Sequence, residues 1–255
     1  MQKILYHELK YQQSTQYTTP FYLLNVINLD MKLCIIGANG RMGQAIIESA
    51  QQQNINIHSV VVKECTDYVG HKLSKEVKIL HKVEDGADII IDFSNSQASK
   101  SNVEYANKYQ IPILIGTTEG HKKSDYNKFN IPIMWAPNTS ITWNIMENAI
   151  EKISLASKLA IQIGEVHHKN KKDDPSGTTK QLDDKINADK VWSLRVGKNM
   201  SMHQFMGIND LEIARLEHQV LDRQLYAHDA LVICKWLIMQ KNQLFIMQDF
   251  INEII

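Results

Sequence analysis

The sequence predicts an α/β protein: a Rossmann-like, parallel-sheet domain followed by a smaller α+β domain. Three observations predict it. Short apolar runs alternate with helix-patterned segments through the first half of the chain. The first run ends in a glycine loop, Gly37-Ala38-Asn39-Gly40-Arg41-Met42-Gly43. After Asn138 the alternation gives way to successive strand-like runs, the pattern of an α+β module.

Lys32–Ile36 is a compact apolar run that stops at Gly37, as a buried parallel strand does. A helix follows over Gln44–Gln52. Ile55–Val62 is β-branched and reads as a second strand, and Asp88–Phe93 as a third. Gln97–Tyr109 has helical spacing. Ile111–Ile115 and Ile131–Trp135 are the fourth and fifth strands. Ile141–Leu159 reads as one long helix. Ala160–Val166, Val191–Val196 and Leu211–Val220 are strand-like, with a helix after Pro175. Tyr226–Met239 is helical, and Leu244–Ile255 closes the chain. The expected division is 31–138 with 224–255 for the dinucleotide domain and 139–223 for the substrate domain. Residues 1–30 read as an extension outside the fold, either a loose arm or a stretch upstream of a native start at Met31.

The chain has 255 residues, with 28 Lys+Arg against 28 Asp+Glu and 44% apolar residues. A neutral balance offers no global attraction for nucleic acid or an acidic membrane surface. No apolar run approaches the length of a membrane span. Cys34, Cys65 and Cys234 are too far apart in sequence for a metal knuckle, and their odd number argues against a disulfide framework. They point to a reducing, cytoplasmic compartment.

In an open α/β sheet, ligands collect beyond the carboxyl ends of the strands. That edge supplies the cofactor-binding candidates: Gly37, Asn39, Gly40, Arg41, Met42, Gly43, Lys63, Phe93, Gly116, Thr117, Thr118, Ala136 and Asn138. Glycines allow close backbone approach, and the helix start beyond them attracts a pyrophosphate. Past the second strand, Lys63 suits the 2′-phosphate of NADPH and Glu64 the free hydroxyl of NADH, so both nucleotides stay open.

The second cluster is Glu165-Val166-His167-His168-Lys169-Asn170-Lys171-Lys172-Asp173-Asp174-Pro175-Ser176-Gly177-Thr178. It runs from a strand into a helix. Thr178 and Gln181 fit a capping box, with Ser176 just upstream. Ser176, Gly177 and Thr178 therefore offer hydroxyls and backbone N–H groups to a carboxylate. His167 and His168 diverge if the strand continues through them, so one can donate a proton while the other holds the substrate. A metal is not expected, because no cysteine or further histidine sits at ligand spacing. Asp173 and Asp174 read as turn residues rather than paired carboxylates.

These residues resemble the dihydrodipicolinate reductase family, whose signature is close to E-x-H-H-x-x-K-x-D-x-P-S-G-T. Glu165–Thr178 matches every fixed position. Supporting matches are the glycine loop, Ile91–Ser94, Gly116–Thr118, Asn138 with Ser140, His218, Arg223 with Tyr226-Ala227, and Leu244–Asp249. The resemblance implies reduction of a small cyclic dicarboxylate by NADPH or NADH, in a homotetramer. It implies His167 as proton donor, Lys171 as its assistant, and His168, Ser176, Gly177 and Thr178 on the substrate carboxylates. The chain departs from the family at Thr142 and Asp229, both usually glycine, and at Glu119, which delays Gly120 by one residue. The segment between Arg195 and Leu211 is short. A second reading, a dinucleotide sensor with weakened catalysis, rests on that shortening and on Asp229.

Overall fold

In a computed structural model, the structure describes residues 30–64, 66–118, 123–198 and 201–255. Residues 1–29, Cys65, Glu119 and Gly120 lie outside it, and with them the expectations placed there. In chain order the elements are β1 (Lys32–Ile36), α1 (Arg41–Gln52), β2 (Asn56–Val61), β3 (Lys78–Leu80), β4 (Ile89–Asp92), α2 (Ser96–Lys108), β5 (Ile113–Ile115), a 3-10 turn (Lys123–Asp125), β6 (Ile133–Trp135), α3 (Ile141–Ala156), β7 (Ala160–His167), α4 (Gly177–Ile186), β8 (Lys190–Arg195), β9 (Ser201–Ile208), β10 (Ile213–Gln219), α5 (Gln224–Leu237), β11 (Leu244–Ile246) and α6 (Met247–Ile254).

The larger sheet has seven strands in the order β11-β6-β5-β4-β1-β2-β3, every pair parallel. β4 is buried throughout and β1 after its first residue, which is why both read as unbroken apolar runs. Leu33, Ile35, Ile89 and Ile91 face one core with α1, α5 and α6, where Trp236 meets Phe245 and Phe250 edge-on at 5.0 and 5.3 Å. Cys34, Ile36 and Ile90 face the other, under α2. The strand order reverses between β1 and β4, so a crevice opens beyond their carboxyl ends.

The smaller sheet runs β10-β9-β7-β8, with β7 and β8 parallel and β9 antiparallel to both its neighbours. Its inner face packs Ile161, Ile163 and Phe205 against Trp143 and Ile150 of α3 and Leu182 of α4. The two sheets are tied at a seam. The Asp229 carboxylate on α5 accepts the Ile141 N–H at 2.9 Å, at the first turn of α3. The Thr139 hydroxyl donates to the Tyr226 carbonyl at 2.8 Å. Asp229 thus satisfies an otherwise unpaired helix-start amide.

Three strands escape the sequence reading. β3 is a three-residue edge, largely exposed, without a periodic signal. β9 turns His203, Phe205 and Gly207 inward, so its buried face contains one strong apolar residue. β11 is three residues long and runs directly into α6. α3 stops at Ala156, short of the expected Leu159, because Ser157 is already extended.

Gly43 supports the glycine loop by its lack of a side chain. A Cβ there would stand 2.3 Å from the Gly37 carbonyl oxygen and 2.7 Å from the Ala38 Cα, both backbone atoms. We expect Gly43→Ala to cost about 1–3 kcal/mol in urea denaturation, the usual penalty of overpacking. A change within error would show that the loop has slack.

Candidate active site

The site is built on β7. Glu165 and His167 are two residues apart on the strand, so both face inward. Glu165 lies opposite Ser193 on β8 and His203 on β9, and His203 lies opposite His218 on β10. A row of polar groups thus crosses the four strands.

Glu165 is fully buried. Its carboxylate accepts from the Ser176 N–H (2.9 Å), the Ser176 hydroxyl, the Thr179 hydroxyl (2.5 Å), the Ser193 hydroxyl (2.9 Å) and Arg195 Nη2 (2.7 Å). Burial alone would raise its pKa. The approach of His167 and the donors Ser176, Thr179 and Arg195 outweigh burial and hold it far below the usual carboxylate range. One ionised acid thereby joins β7, β8 and the start of α4. Arg195 continues the network by donating to the Asp173 carbonyl at 2.5 Å.

His167 is buried, with Nδ1 at 3.6 Å from Glu165 Oε2, an electrostatic approach too long for a hydrogen bond. Its ring meets His203 edge-on at 5.1 Å. His203 lies at 4.7 Å from the Trp143 ring, and its Nε2 is 3.4 Å from the Ser176 hydroxyl. Burial is the main reason that its pKa falls to about 3; the His167 charge adds to this and the Glu165 charge opposes it. His203 is therefore neutral at physiological pH. His168 points away, partly exposed, as expected of consecutive strand residues. Desolvation lowers its pKa first, then the charges of Arg41, His167, Lys171 and Arg195. Arg41 opens α1, so the start of the glycine-loop helix is within electrostatic reach of the histidine loop.

The cap of α4 is Ser176, whose hydroxyl accepts the Thr179 N–H at 3.3 Å. This corrects the capping box at Thr178, which lies inside the first turn. Ser176 was expected to meet the substrate; its hydroxyl is turned inward to Glu165. Gly177 is exposed, and a Cβ there would meet nothing within 4 Å. Lys171 Nζ pairs with Asp173 Oδ1 at 2.9 Å.

At the sheet edge, Gly37 has φ +79°, and a Cβ there would lie 2.7 Å from the Phe93 carbonyl oxygen. α1 starts at Gly40 without a side-chain cap, leaving its first-turn amides for an anion. That geometry fits a dinucleotide pyrophosphate. Arg41 is exposed and Met42 leans on the core. Asn39 pins the neighbouring loop, donating to the Asp67 carbonyl (3.0 Å) and accepting the Val69 N–H (2.8 Å). Lys63 and Glu64 are both exposed past β2. The Phe93 ring covers Gly116, where a Cβ would approach it to 2.3 Å. The Thr117 hydroxyl is buried 3.2 Å from that of Ser99, Thr118 is exposed, and Ala136 is buried. The Asn138 side chain accepts the Ser140 N–H at 3.0 Å.

Sequence reasoning left Glu165, Ser193, Arg195 and His203 without roles. The alternation of Ser193 and Arg195 in a strand was an available signal; the arrival of His203 from a distant strand was not. Glu165, His167 and His203 each bring a metal-ligand type of atom within 4.8 Å of the others. Five donors already fill the carboxylate, and a guanidinium sits on it, so the cluster suits an ion pair better than a cation.

Two outcomes follow from the buried acid. Glu165→Gln should cost about 3–5 kcal/mol in chemical denaturation, because it leaves the largely buried Arg195 with only the exposed Asp174 carboxylate at 3.6 Å. Stability should also fall with pH in two stages. His203 is held below its ordinary 6.5, so unfolding takes up a proton as pH drops from 6.5 towards about 3. Glu165 is held below its ordinary 4.5, so its contribution is complete above that pH and is lost progressively below it. Denaturation midpoints measured across pH should steepen below 4.5 in the wild type, and Glu165→Gln should flatten that limb.

Comparison with known proteins agrees with this geometry. Residues 31–139 match the family model "Dihydrodipicolinate reductase, N-terminus", and residues 140–251 match "Dihydrodipicolinate reductase, C-terminus". The 4-hydroxy-tetrahydrodipicolinate reductase of Lawsonia intracellularis is 29% identical over 88% of this chain and 100% of its own length. That of Pelagibacter ubique is 30% identical over 87% and 98%. The structure of a dipicolinate-bound dihydrodipicolinate reductase from Paenisporosarcina sp. TG-14 superposes with a TM-score of 0.74 at 16% identity, covering 86% of this chain and 98% of that one. With both halves of the family matched in order and the motif folded around a single buried acid, the chain belongs to the dihydrodipicolinate reductase family.

Proposed function

We propose that the protein is an NAD(P)H-dependent 4-hydroxy-tetrahydrodipicolinate reductase, forming tetrahydrodipicolinate in lysine and diaminopimelate biosynthesis. One observation carries the reading. The Glu165–Thr178 motif folds into a strand-to-helix loop that carries His167, His168, Lys169, Lys171 and Lys172 between β7 and the start of α4. A cyclic dicarboxylate needs such surroundings, with cations and a helix start for its acids.

Bound NADPH or NADH would supply the hydride, held by the loop Gly37–Gly43 and the strand ends at Phe93, Gly116 and Ala136. After the 4-hydroxyl leaves as water, hydride addition to the ring leaves an anion that needs a proton. His167 gives that proton and is left as the neutral ring, its Nδ1 side turned to the Glu165 carboxylate at 3.6 Å. Lys171 holds a substrate carboxylate and assists. His168, Gly177 and Thr178 complete the anion contacts, while Ser176 serves mainly by capping α4. Lys63 and Glu64 leave either nucleotide acceptable at the ribose.

The tetramer belongs to the same proposal. The outer face of the smaller sheet carries Leu194, Ile208 and Ile213 at 50%, 36% and 54% exposure, beside partly exposed Trp192, Met202 and Met206. An apolar sheet face of this kind is a candidate interface between copies. A cytoplasmic location is supported by the unpaired thiols of Cys34 and Cys234. Among the described residues, no helix is long and apolar enough to cross a membrane. The sensor alternative loses its motivation from Asp229, which has a structural task, and from the short segment, which still pairs β9 with β10.

Nicotinamide oxidation measured with freshly prepared substrate tests the activity, using both nucleotides. His167→Gln and Lys171→Ala should each lower kcat by about 100-fold or more, the scale of general acid catalysis, with nucleotide binding kept. Near-normal turnover in both variants would remove the assigned roles. Light scattering should give a mass about four times 29.3 kDa, and acidic substitutions at Leu194 and Ile208 should reduce it. A wild-type monomer would refute the assembly.

A further inference from the structure

Asp173 makes two contacts that the functional reading reserves for a ligand. Its Oδ1 lies 2.9 Å from Lys171 Nζ, and its Oδ2 accepts the Gly177 N–H at 3.3 Å. An ammonium and a helix-start amide shared by one carboxylate is the pattern expected of a bound substrate acid. We infer that Asp173 is an internal placeholder: its side chain competes with a substrate carboxylate for Lys171 and the start of α4, and turns away when the substrate binds. The inference rests on the proposed function, which puts a carboxylate on those two groups.

The surroundings suit a side chain that moves on a backbone that does not. The Asp173 side chain is 47% exposed and that of Lys171 25%, so the pair lies at the surface with water available to both. The backbone is held, since the Asp173 carbonyl accepts from Arg195, itself anchored on Glu165. Nothing lies within 4 Å of a Cβ built at Gly177, so the space beside that residue is open. Lys171 and Gly177 both favour the ionised form of Asp173 against the opposing effect of desolvation. The neighbouring Asp174, 57% exposed and 3.6 Å from Arg195, is paired with a different cation. The placeholder therefore keeps Lys171 and the helix start neutralised and oriented, and a substrate with one weak anionic group gains little by displacing it. A dicarboxylate, anchored elsewhere by its second acid, gains more.

The sign of one substitution separates this role from a structural one. An aspartate that only shaped the loop would, when changed, loosen the pocket and weaken ligand binding. A competitor, when removed, strengthens it. Calorimetric titration of dipicolinate into the nucleotide-bound enzyme should show Asp173→Asn binding about two- to fivefold tighter than wild type, the effect of releasing a partly exposed ion pair. Asp173→Glu, which keeps the charge, should stay near wild type. In a Lys171→Ala background the gain from Asp173→Asn should disappear. Unchanged or weaker binding by Asp173→Asn, alongside normal binding by wild type, overturns the placeholder. Failure of the wild type to bind dipicolinate at all instead overturns the functional reading, and the placeholder with it.

Discussion

The ionised, buried carboxylate of Glu165 is the constraint on which the site depends. A carboxylate without water needs donors on nearly all of its lone pairs, or it takes up a proton. Here the donors come from separate elements: Ser176 and Thr179 from α4, Ser193 and Arg195 from β8. Each must be in place for the charge to persist. The requirement fixes where α4 begins, how β8 lies against β7, and which side of His167 faces the acid. Arg195 extends the same constraint to the Asp173 backbone, so the loop between strand and helix is positioned by a charge buried beneath it.

Where chemistry depends on residues close in sequence, the chain can be read directly. The glycine loop, the alternating strands and the motif from Glu165 to Thr178 are local patterns with local causes: backbone freedom, period, and capping. What escaped was set by distance or by weak signal. β9 carries a histidine and a glycine where a strand usually carries apolar residues, because its inner face is part of the site and not of the core alone. His203 becomes relevant only through the antiparallel register of β9 on β7. Ser176 reads in the sequence as a substrate ligand, since hydroxyls at helix starts often are; the structure adds an acid below it that also uses the hydroxyl.

Asp229 illustrates how a departure from a family pattern is accommodated. A carboxylate in place of glycine at a buried position is costly unless it finds donors. The start of α3 supplies one, since the amide of Ile141 has no partner within its own helix. The result is a tie between α5, which packs on the larger sheet, and α3, which packs on the smaller. Together with the Thr139–Tyr226 hydrogen bond, it makes the seam between the sheets a defined contact and not a bare linker.

The two acids of the motif show how burial decides what a charge does. Glu165 has no exposure and five donors, so its position is fixed and it organises its neighbours. Asp173, at nearly half exposure, is bound by a lysine and a single amide, contacts that water and other anions can replace at small cost. On the proposed function, pairing Lys171 with an acid of its own limits its capture of other anions, and the held Asp173 backbone keeps the pair beside the start of α4. Rigidity from a buried charge and exchangeability from an exposed one thus come from carboxylates eight residues apart, one on β7 and one in the loop that follows it.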